Sequence, residues 1–403
     1  MFSFTPPSLY PFRTAHTMTR LRGWLPRYFD IGVNFSDAMF SGIYHGRQHH
    51  PLDLDQVIAR AKAVGVDKML ITALLIAESK SHLDLCREHP GFYQTAGVHP
   101  CQVSLEFYVA KPKDEIVEGE PHYTETLRDD VDERLEDLKQ TIIAGHAQGF
   151  IKAFGEVGLD YDRFFFSLKR QQLTMFTKQL EMLRTIKHLE LPLFLHMRAA
   201  CDDFIACLKP FIADGTVKLG VIHSFTGTEE ELDKLKALEI FHFSVNGCSL
   251  RYAENVEVAA KIPMDKLMIE TDAPWCEVRR THASYKFITP YPNVFYPDLV
   301  TDYPIKSSKF KFDANLPFTS IKKENWTKHH DEVNKQISQL ELDAAAHRVV
   351  GDLAPPMIKL RNEPAGIVMV AEIMCGIYGL ESEEDIEKFL DTVYRNSCEV
   401  FKV

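Results

Sequence analysis

Residues 266–275 read KLMIETDAPW, an apolar run that stops at two acids, Glu270 and Asp272, before a proline. Aliphatic residues favour a buried strand, and a proline ends one. Five further apolar runs also end in side chains able to bind a metal: YFDIGVN (28–34), TAGVHP (95–100), FGEVGLD (154–160), LFLHMR (193–198) and GVIHSF (220–225). The sequence therefore predicts a set of strands that carry chemistry at their ends.

The composition limits what those strand ends mean. The chain has 403 residues, of which 45% are hydrophobic and 26% charged, enough for one large globular domain. The longest uncharged apolar run, 69–77, is too short to span a bilayer, so we expect no membrane segment. The eight cysteines form no CxxC pair and are typical of reduced thiols, which favours a cytoplasmic or nuclear protein.

The charge distribution narrows the function. A formal net charge of −11 argues against a protein that coats duplex DNA through a basic face. It leaves a nuclease open, because bound divalent cations make a site locally positive. Residues 1–29 contain no acid and four arginines. We interpret residues 1–27 as a flexible leader, with a mitochondrial targeting segment as the weaker alternative.

Strand-like runs alternate with helix-period segments at 53–65, 131–146, 171–189 and 228–238. Eight β-then-α units predict an α/β fold of the (β/α)8 TIM-barrel type within residues 28–403. In that fold the C-terminal ends of all strands meet at one mouth, so residues scattered in sequence gather in space. The predicted strand ends lie near Asp30, Thr72, His99, Glu156, His196, His223, Asn246 and Asp272.

Two insertions interrupt the alternation, at 107–127 and 287–360, and helices at 365–377 and 382–403 close the chain. The second insertion has poor periodicity and predicts a loop excursion. Its segment 303–328 combines lysines with aromatic residues and is either a contact for single-stranded DNA or a small satellite core. The residues concerned are Lys306, Lys309, Lys311, Lys322, Lys323, Lys328, Tyr303, Phe310, Phe312, Phe318 and Trp326.

Four of the strand ends offer the donors that a hydrolytic metal site needs. Glu156, His196, His223 and Asp272 end the predicted strands 4, 5, 6 and 8. A histidine at a strand end is, singly, more often a hydrogen-bonded structural residue than a ligand. Four such residues on one rim favour a site for one or two divalent ions and an activated water.

The motifs around these residues are more specific than the residue types. GEVGLDYD (155–162), LHMR (195–198), HSFTGT (223–228) and IETDAPW (269–275) occur in this order, and RNEP follows at 361–364. In these motifs the sequence resembles the TatD family of metal-dependent deoxyribonucleases. The resemblance implies a barrel that hydrolyses DNA phosphodiesters, often from the 3′ end, with single strands or 3′ ends as partners. It implies Mg²⁺ as the usual ion, with Mn²⁺ or Zn²⁺ as alternatives.

The resemblance also implies roles for residues. Glu156 would bridge the metals, His196 and His223 would bind one of them, and Asp272 would be a ligand that activates water. Glu156 and Asp272 are thus the expected catalytic residues. The expected substrate contacts are His99, Arg198, Arg361 and Asn34. For RNEP the alternative is simply a helix start with Pro364 in the first turn.

Strand 1 departs from the wider barrel pattern. Many relatives end it with His-x-His, whereas DIGVN puts Gly32 and Asn34 at those positions. We therefore expect the ion beside strand 1 to be bound more weakly and by oxygen atoms, which suit Mg²⁺ or Mn²⁺ better than Zn²⁺. A small-molecule amidohydrolase or lactonase is the alternative function, but a bridging lysine is expected there on strand 4, and Lys152 lies four residues deeper than Glu156. A non-catalytic binding protein would be expected to have lost these ligands.

Overall fold

Eight parallel strands form a barrel in the computed structural model of the chain, which describes residues 24–297, 315, 317–339 and 356–403. Most of the predicted leader lies outside the described residues, as do 298–314, 316 and 340–355 of the second insertion. The barrel strands are β1 Tyr28–Val33, β2 Val66–Ile71, β3 Phe92–Ala96, β4 Ile151–Asp160, β5 Leu193–Arg198, β6 Gly220–Ile222, β7 Phe241–Val245 and β8 Leu267–Ile269.

Each strand pairs with the next in chain order, and the sheet closes on itself. Closure rests on a parallel bridge between Val33 and Ala273. The Asp272 N–H donates to Gly32 O at 2.8 Å, and the Asn34 N–H donates to Ala273 O at 2.8 Å. The predicted (β/α)8 barrel is confirmed, and the KLMIETDAPW stretch is the seam at which it closes.

Helices connect the strands on the outside of the barrel. The Thr228 side chain accepts from the Glu231 N–H at 3.2 Å, and the Glu231 carboxylate accepts from the Thr228 N–H at 2.8 Å, so a capping box starts the helix after β6. The principal helices are α1 Leu54–Ala63, α2 Ile76–Glu88, α3 Val131–Ala147, α4 Lys169–Thr185, α5 Cys201–Ala213, α6 Glu229–Lys236, α7 Ala253–Ala259, α8 Ile367–Ile377 and α9 Glu383–Phe401.

Apolar side chains fill the barrel interior, and α9 closes its lower end. The interior cluster is formed by Phe29, Ile31, Leu70, Ala153, Phe194, Val221 and Met268 together with Tyr394, Val400 and Phe401 of α9. Successive side chains of a strand point to opposite faces, so the residue two positions further on shares the interior face. Phe194, Val221 and Met268 are therefore followed inside the barrel by His196, His223 and Glu270.

Both insertions contain regular structure. In the first, Tyr108–Ala110 pairs antiparallel with Tyr123–Leu127. In the second, Trp326–Ile337 is a helix, although we expected a loop there. Trp326, His329 and Val333 are all buried and share one face of this helix. Because histidine is polar and tryptophan only weakly apolar, the helical repeat of apolar residues was not evident in the sequence.

Part of segment 303–328 forms a small core. Trp326 packs with Ile321, Tyr44 and Ile358, and the Trp326 ring stacks on His50 at a centroid distance of 5.9 Å. Phe318 is also buried. These aromatics support the satellite-core interpretation for their half of the segment. Tyr303, Phe310, Phe312 and Lys306, Lys309 and Lys311 lie outside the described residues.

Candidate metal centre and active site

Three imidazoles converge on one carboxylate at the barrel mouth. Glu156 Oε1 lies 2.8 Å from His196 Nδ1, 2.6 Å from His223 Nε2 and 3.2 Å from His99 Nε2. All four side chains are buried. His99 comes from the loop three residues beyond the end of β3, and the others come from β4, β5 and the residue after β6. The structure thus brings His99 into the same cluster as three of the expected metal ligands.

The backbone of β4 accounts for the position of Glu156. The register between β4 and β5 shifts between Phe154 and Val157, which re-aims the side chains of the intervening residues. Gly158 then passes so close to β5 that a Cβ there would lie 1.9 Å from His196 O, at a φ of +145°. Only glycine fits at this position, so the GEVG sequence lets β4 press against the histidine strand.

The imidazole nitrogens face one another at short range. His196 Nδ1 lies 3.2 Å from His223 Nε2 and 3.4 Å from His99 Nε2. Two neutral nitrogens that both present lone pairs repel at this distance unless a proton or a cation lies between them. His99, Glu156 and His196 also offer ligand atoms within 4.8 Å of one another. Imidazole nitrogens and a carboxylate oxygen are suitable donors for a divalent metal ion, so these residues fit a metal centre.

Charge coupling in the cluster is strong. Burial alone would raise the pKa of Glu156, but the charges of His223 and His99 and the hydrogen bonds from His196 and His223 outweigh it and hold the pKa well below its ordinary value. Burial would lower the pKa of His223, yet the carboxylates of Glu156 and Glu270 raise it well above its ordinary value. The metal-free cluster therefore favours a positive charge beside Glu156, and a divalent cation would displace that proton on binding.

Asp272 lies at the edge of this cluster rather than inside it. Its carboxylate accepts from Asn34 Nδ2 at 2.9 Å and from the Cys276 thiol at 3.2 Å. Asn34 is itself fixed, because its Oδ1 accepts from the Thr72 hydroxyl at 2.5 Å. Burial, followed by the negative charges of Glu270 and Glu156, raises the pKa of Asp272 to about 6. A carboxylate in this state gains strongly from a nearby cation.

Two carboxylates that the sequence did not assign support the imidazoles from behind. Asp160 Oδ2 lies 3.1 Å from His196 Nε2, and Glu270 Oε1 lies 3.4 Å from His223 Nδ1. Ser244 Oγ and Asn246 Nδ2 donate to Glu270 at 2.7 and 2.9 Å. Carboxylates in this position fix the ring orientation and tautomer of metal-binding histidines. The signal was present in sequence: Glu270 is two residues after the interior Met268, and Asp160 ends β4.

Glu270 also explains the glycine of strand 1. A Cβ at Gly32 would lie 3.0 Å from Glu270 Oε2, tighter than ordinary contacts. A histidine at position 32 would have to displace the carboxylate that contacts His223. The departure from His-x-His is therefore matched by a carboxylate that fills the space.

The structure separates the two arginines expected to contact substrate. Arg198 ends β5, and within the described residues its guanidinium forms no hydrogen bond or ion pair. Asp160 bonds to His196, and this contact and the charges of His196 and Arg198 outweigh its burial and bring the Asp160 pKa to about 2. Arg198 is therefore a cation at the mouth.

Arg361, the other arginine expected to contact substrate, lies in a buried ion-pair network. Its guanidinium donates to the two Asp53 carboxylate oxygens at 2.7 Å each and to Glu363 Oε1 at 2.9 Å. Glu363 also accepts from Arg60 at 2.7 Å. Two positive and two negative groups thus neutralise one another, and a short helical turn begins at Pro364. Asn362 ties this segment to β8 by donating to Thr271 O at 2.9 Å.

Comparison with known proteins decides the family. The family model described as TatD related DNase matches residues 29–302. The chain belongs to the TatD family. Deoxyribonuclease Tat-D of Saccharomyces cerevisiae is 34% identical over 422 aligned residues, which cover 93% of this chain and 91% of that protein. Deoxyribonuclease Tat-D of Schizosaccharomyces pombe is 35% identical and covers 89% of this chain and 91% of its own length.

Two further comparisons add a bacterial relative and a solved structure. The 3′-5′ ssDNA/RNA exonuclease TatD of Erwinia tasmaniensis is 37% identical over 61% of this chain and 80% of that protein. Among solved structures, an uncharacterized amidohydrolase from Saccharomyces cerevisiae superimposes with a TM-score of 0.69 at 31% identity, over 93% of this chain and 99% of that one. The likeness to this solved structure thus extends over nearly the whole sequence.

Proposed function

We propose that this TatD-family protein is a metal-dependent deoxyribonuclease that hydrolyses phosphodiester bonds from the 3′ end of DNA strands. The convergence of His99, His196 and His223 on Glu156 is the observation that carries the proposal. A nitrogen-and-carboxylate cluster buried at a barrel mouth suits a divalent ion, and membership of the family suits DNA as the substrate.

We assign roles to the residues on this basis. Glu156, His196, His223 and Asp272 would hold the metal, and His99 is near enough to join them. A bound divalent ion supplies Lewis acidity that makes a water molecule nucleophilic near neutral pH. Asp272, raised in pKa and held by Asn34, accepts the proton of that water. Arg198 neutralises the phosphate, because its guanidinium is free of partners within the described part of the chain.

Mg²⁺ is our first candidate for the ion, with Mn²⁺ and Zn²⁺ as alternatives, and one or two ions are expected. The three imidazoles favour Mn²⁺ or Zn²⁺ on the histidine side. The carboxylate oxygens of Asp272 suit Mg²⁺ on the strand 1 side. The number and kind of ions bound per protein after purification with each metal, measured by mass spectrometry, distinguish these cases.

We propose unpaired DNA, in particular 3′ ends, as the substrate form. The bacterial relative's description as a 3′-5′ ssDNA/RNA exonuclease supports this choice. No helix among the described residues is long and apolar enough to cross a membrane. All eight cysteines are unpaired thiols, which supports a cytoplasmic or nuclear location.

An amidohydrolase or lactonase function has less support. The ammonium of Lys152 lies 3.4 Å from Lys402 O and 5.5 Å from the centre of the Tyr93 ring. Lys152 is the second residue of β4, so its side chain is at the end of the barrel opposite the mouth. It cannot bridge metals beside Glu156.

The test uses purified protein with end-labelled single-stranded and duplex DNA, with and without Mg²⁺, Mn²⁺ or Zn²⁺, beside a panel of lactones and amides. We expect ladders shortening from the 3′ end of the single strand. Turnover of a lactone or amide with no DNA cleavage would favour the alternative instead.

A further inference from the structure

The most exposed aromatic rings of the described chain all lie around the barrel mouth. Their exposed fractions range from 38% to 55%. They are Phe164, Phe165, Phe166, Tyr252 and Trp275. All five belong to loops that follow the C-terminal ends of β4, β7 and β8, which is the side of the barrel that holds the Glu156 cluster.

Two of these rings lie close in the chain to residues of the site. The backbone N–H of Trp275 donates to the backbone carbonyl of Asp272 at 2.9 Å, so Trp275 belongs to a turn that starts at this carboxylate residue. The Phe164 ring packs on Tyr161 at a centroid distance of 5.3 Å, and Tyr161 directly follows Asp160. The loops that carry Trp275 and Phe164 therefore start directly at the mouth of the barrel.

Three of the rings pack on a neighbouring ring or on a cation at the surface. Phe165 and Phe166 have centroids 4.3 Å apart. The guanidinium carbon of Arg251 lies 4.8 Å from the centre of the Tyr252 ring. Several exposed rings on one face of a protein mark a surface that binds a partner or ligand.

The charges at this face point to a polyanion. Arginines accompany the rings in each loop although the formal net charge of the chain is −11. Arg163 precedes Phe164 and lies 3.7 Å from Asp160, and its side chain is 43% exposed. Arg251 is exposed beside Tyr252, and Arg198 ends β5. Aromatic rings interleaved with arginines are the usual surface for a single strand, because bases stack on the rings and arginines neutralise phosphates.

We propose that these five rings, the aromatic rim, form a stacking surface for the unpaired bases next to the bond that is cleaved, with Arg163 and Arg251 contacting the phosphates. The placement of the DNA strand beside the cleaved bond rests on the proposed nuclease function. A paired base hides its faces in the duplex, so the rim selects single strands and frayed ends. Stacking uses a face that every base has, so the rim is tolerant of sequence.

The test measures binding without added metal, which separates it from cleavage. The ligands are a labelled strand of thymidines and a strand of equal length whose residues are abasic, so that only the bases differ. Each ring lost should weaken binding of the thymidine strand at least about fivefold and leave the abasic strand unchanged. The variants are Trp275→Ala and the double variant Phe165→Ala with Phe166→Ala; because the rings are exposed, unchanged thermal unfolding is expected.

Two further variants serve as a rescue and as a control. Trp275→Phe keeps a ring and should restore most of the thymidine-strand affinity. Leu25→Ala removes an exposed apolar side chain just before β1, at the opposite end of the barrel, and should change nothing. Quenching of Trp275 fluorescence by the thymidine strand but not by the abasic strand is the direct sign of stacking.

The outcomes separate this proposal from the nuclease proposal. Equal affinity of the wild-type protein for thymidine and abasic strands, or a Trp275→Ala variant that binds as wild type, overturns the aromatic rim. Loss of self-association in Trp275→Ala, with DNA binding intact, assigns the rings to an interface between copies and also overturns it. A wild-type protein that discriminates the two strands but cleaves no DNA with any divalent ion refutes the nuclease proposal and leaves the rim standing.

Discussion

Replacing Asp160 by asparagine removes one charge behind the metal cluster and keeps the shape of the side chain. Asp160 Oδ2 lies 3.1 Å from His196 Nε2, on the opposite side of the ring from the Glu156 contact. The carboxylate therefore holds the ring so that Nδ1 faces the metal position. Loss of such a carboxylate behind a metal-binding histidine typically costs about 10- to 100-fold in metal affinity or activity, roughly 1.4–2.8 kcal/mol.

The assay has two arms. Calorimetric titration of metal-free protein with Mn²⁺ gives the affinity, and shortening of an end-labelled single strand gives the rate. Asp162→Asn is the matched control, because Asp162 is exposed and only its backbone N–H contacts Asp160. We expect Asp160→Asn to lose affinity and rate together, and the control to lose neither. Wild-type affinity and rate in a folded Asp160→Asn variant would refute the assignment of His196 as an oriented ligand.

Three other predictions address the site and the fold. Glu156→Gln and Asp272→Asn should each lower the rate of DNA cleavage at least about a hundredfold while the barrel remains folded, because each removes charge that the metal or its water requires; a rate near wild type with metal content confirmed would mean that the site lies elsewhere. Arg361→Met should lower the free energy of unfolding by about 3–5 kcal/mol in urea titrations, because it leaves buried carboxylates unpaired, whereas the exposed Arg280→Met should change it little. Burial raises the pKa of Glu372 from 4.5 to about 7, so its ionisation opposes folding, and the free energy of unfolding of the wild type falls by this group's contribution as pH rises from about 4.5 through 7. Glu372→Gln should therefore be more stable than the wild type by roughly 3 kcal/mol at about pH 8 and no more stable below about pH 4.5. Equal gains at both pH values would contradict this.

Strand periodicity accounts for most of what the sequence predicted correctly. Apolar runs that end in polar residues located the barrel strands, and the rule that strand ends meet at one mouth predicted that Glu156, His196 and His223 would lie together. The structure brings them within hydrogen-bond distance. Their roles as ligands remain a prediction.

Long-range partners account for what the sequence did not predict. Arg361 binds Asp53, which lies 308 residues away in the sequence, and no local sequence pattern predicts that this buried acid is its partner. His99 lies beyond the end of its strand, so the reach of its loop toward Glu156 depends on tertiary packing. The supporting role of Asp160 and Glu270 depends on ring orientation, which a sequence does not specify.

The metal dependence of DNA cleavage tests the central claim most directly. Protein stripped of metal by a chelator and dialysed is incubated with an end-labelled single strand before and after addition of Mg²⁺ or Mn²⁺. The cluster around Glu156 predicts no cleavage in the stripped protein and recovery of a 3′-shortening ladder when the ion is restored, because the water needs a metal to become acidic enough near neutral pH. Undiminished cleavage by protein shown to be free of metal would contradict the proposed mechanism.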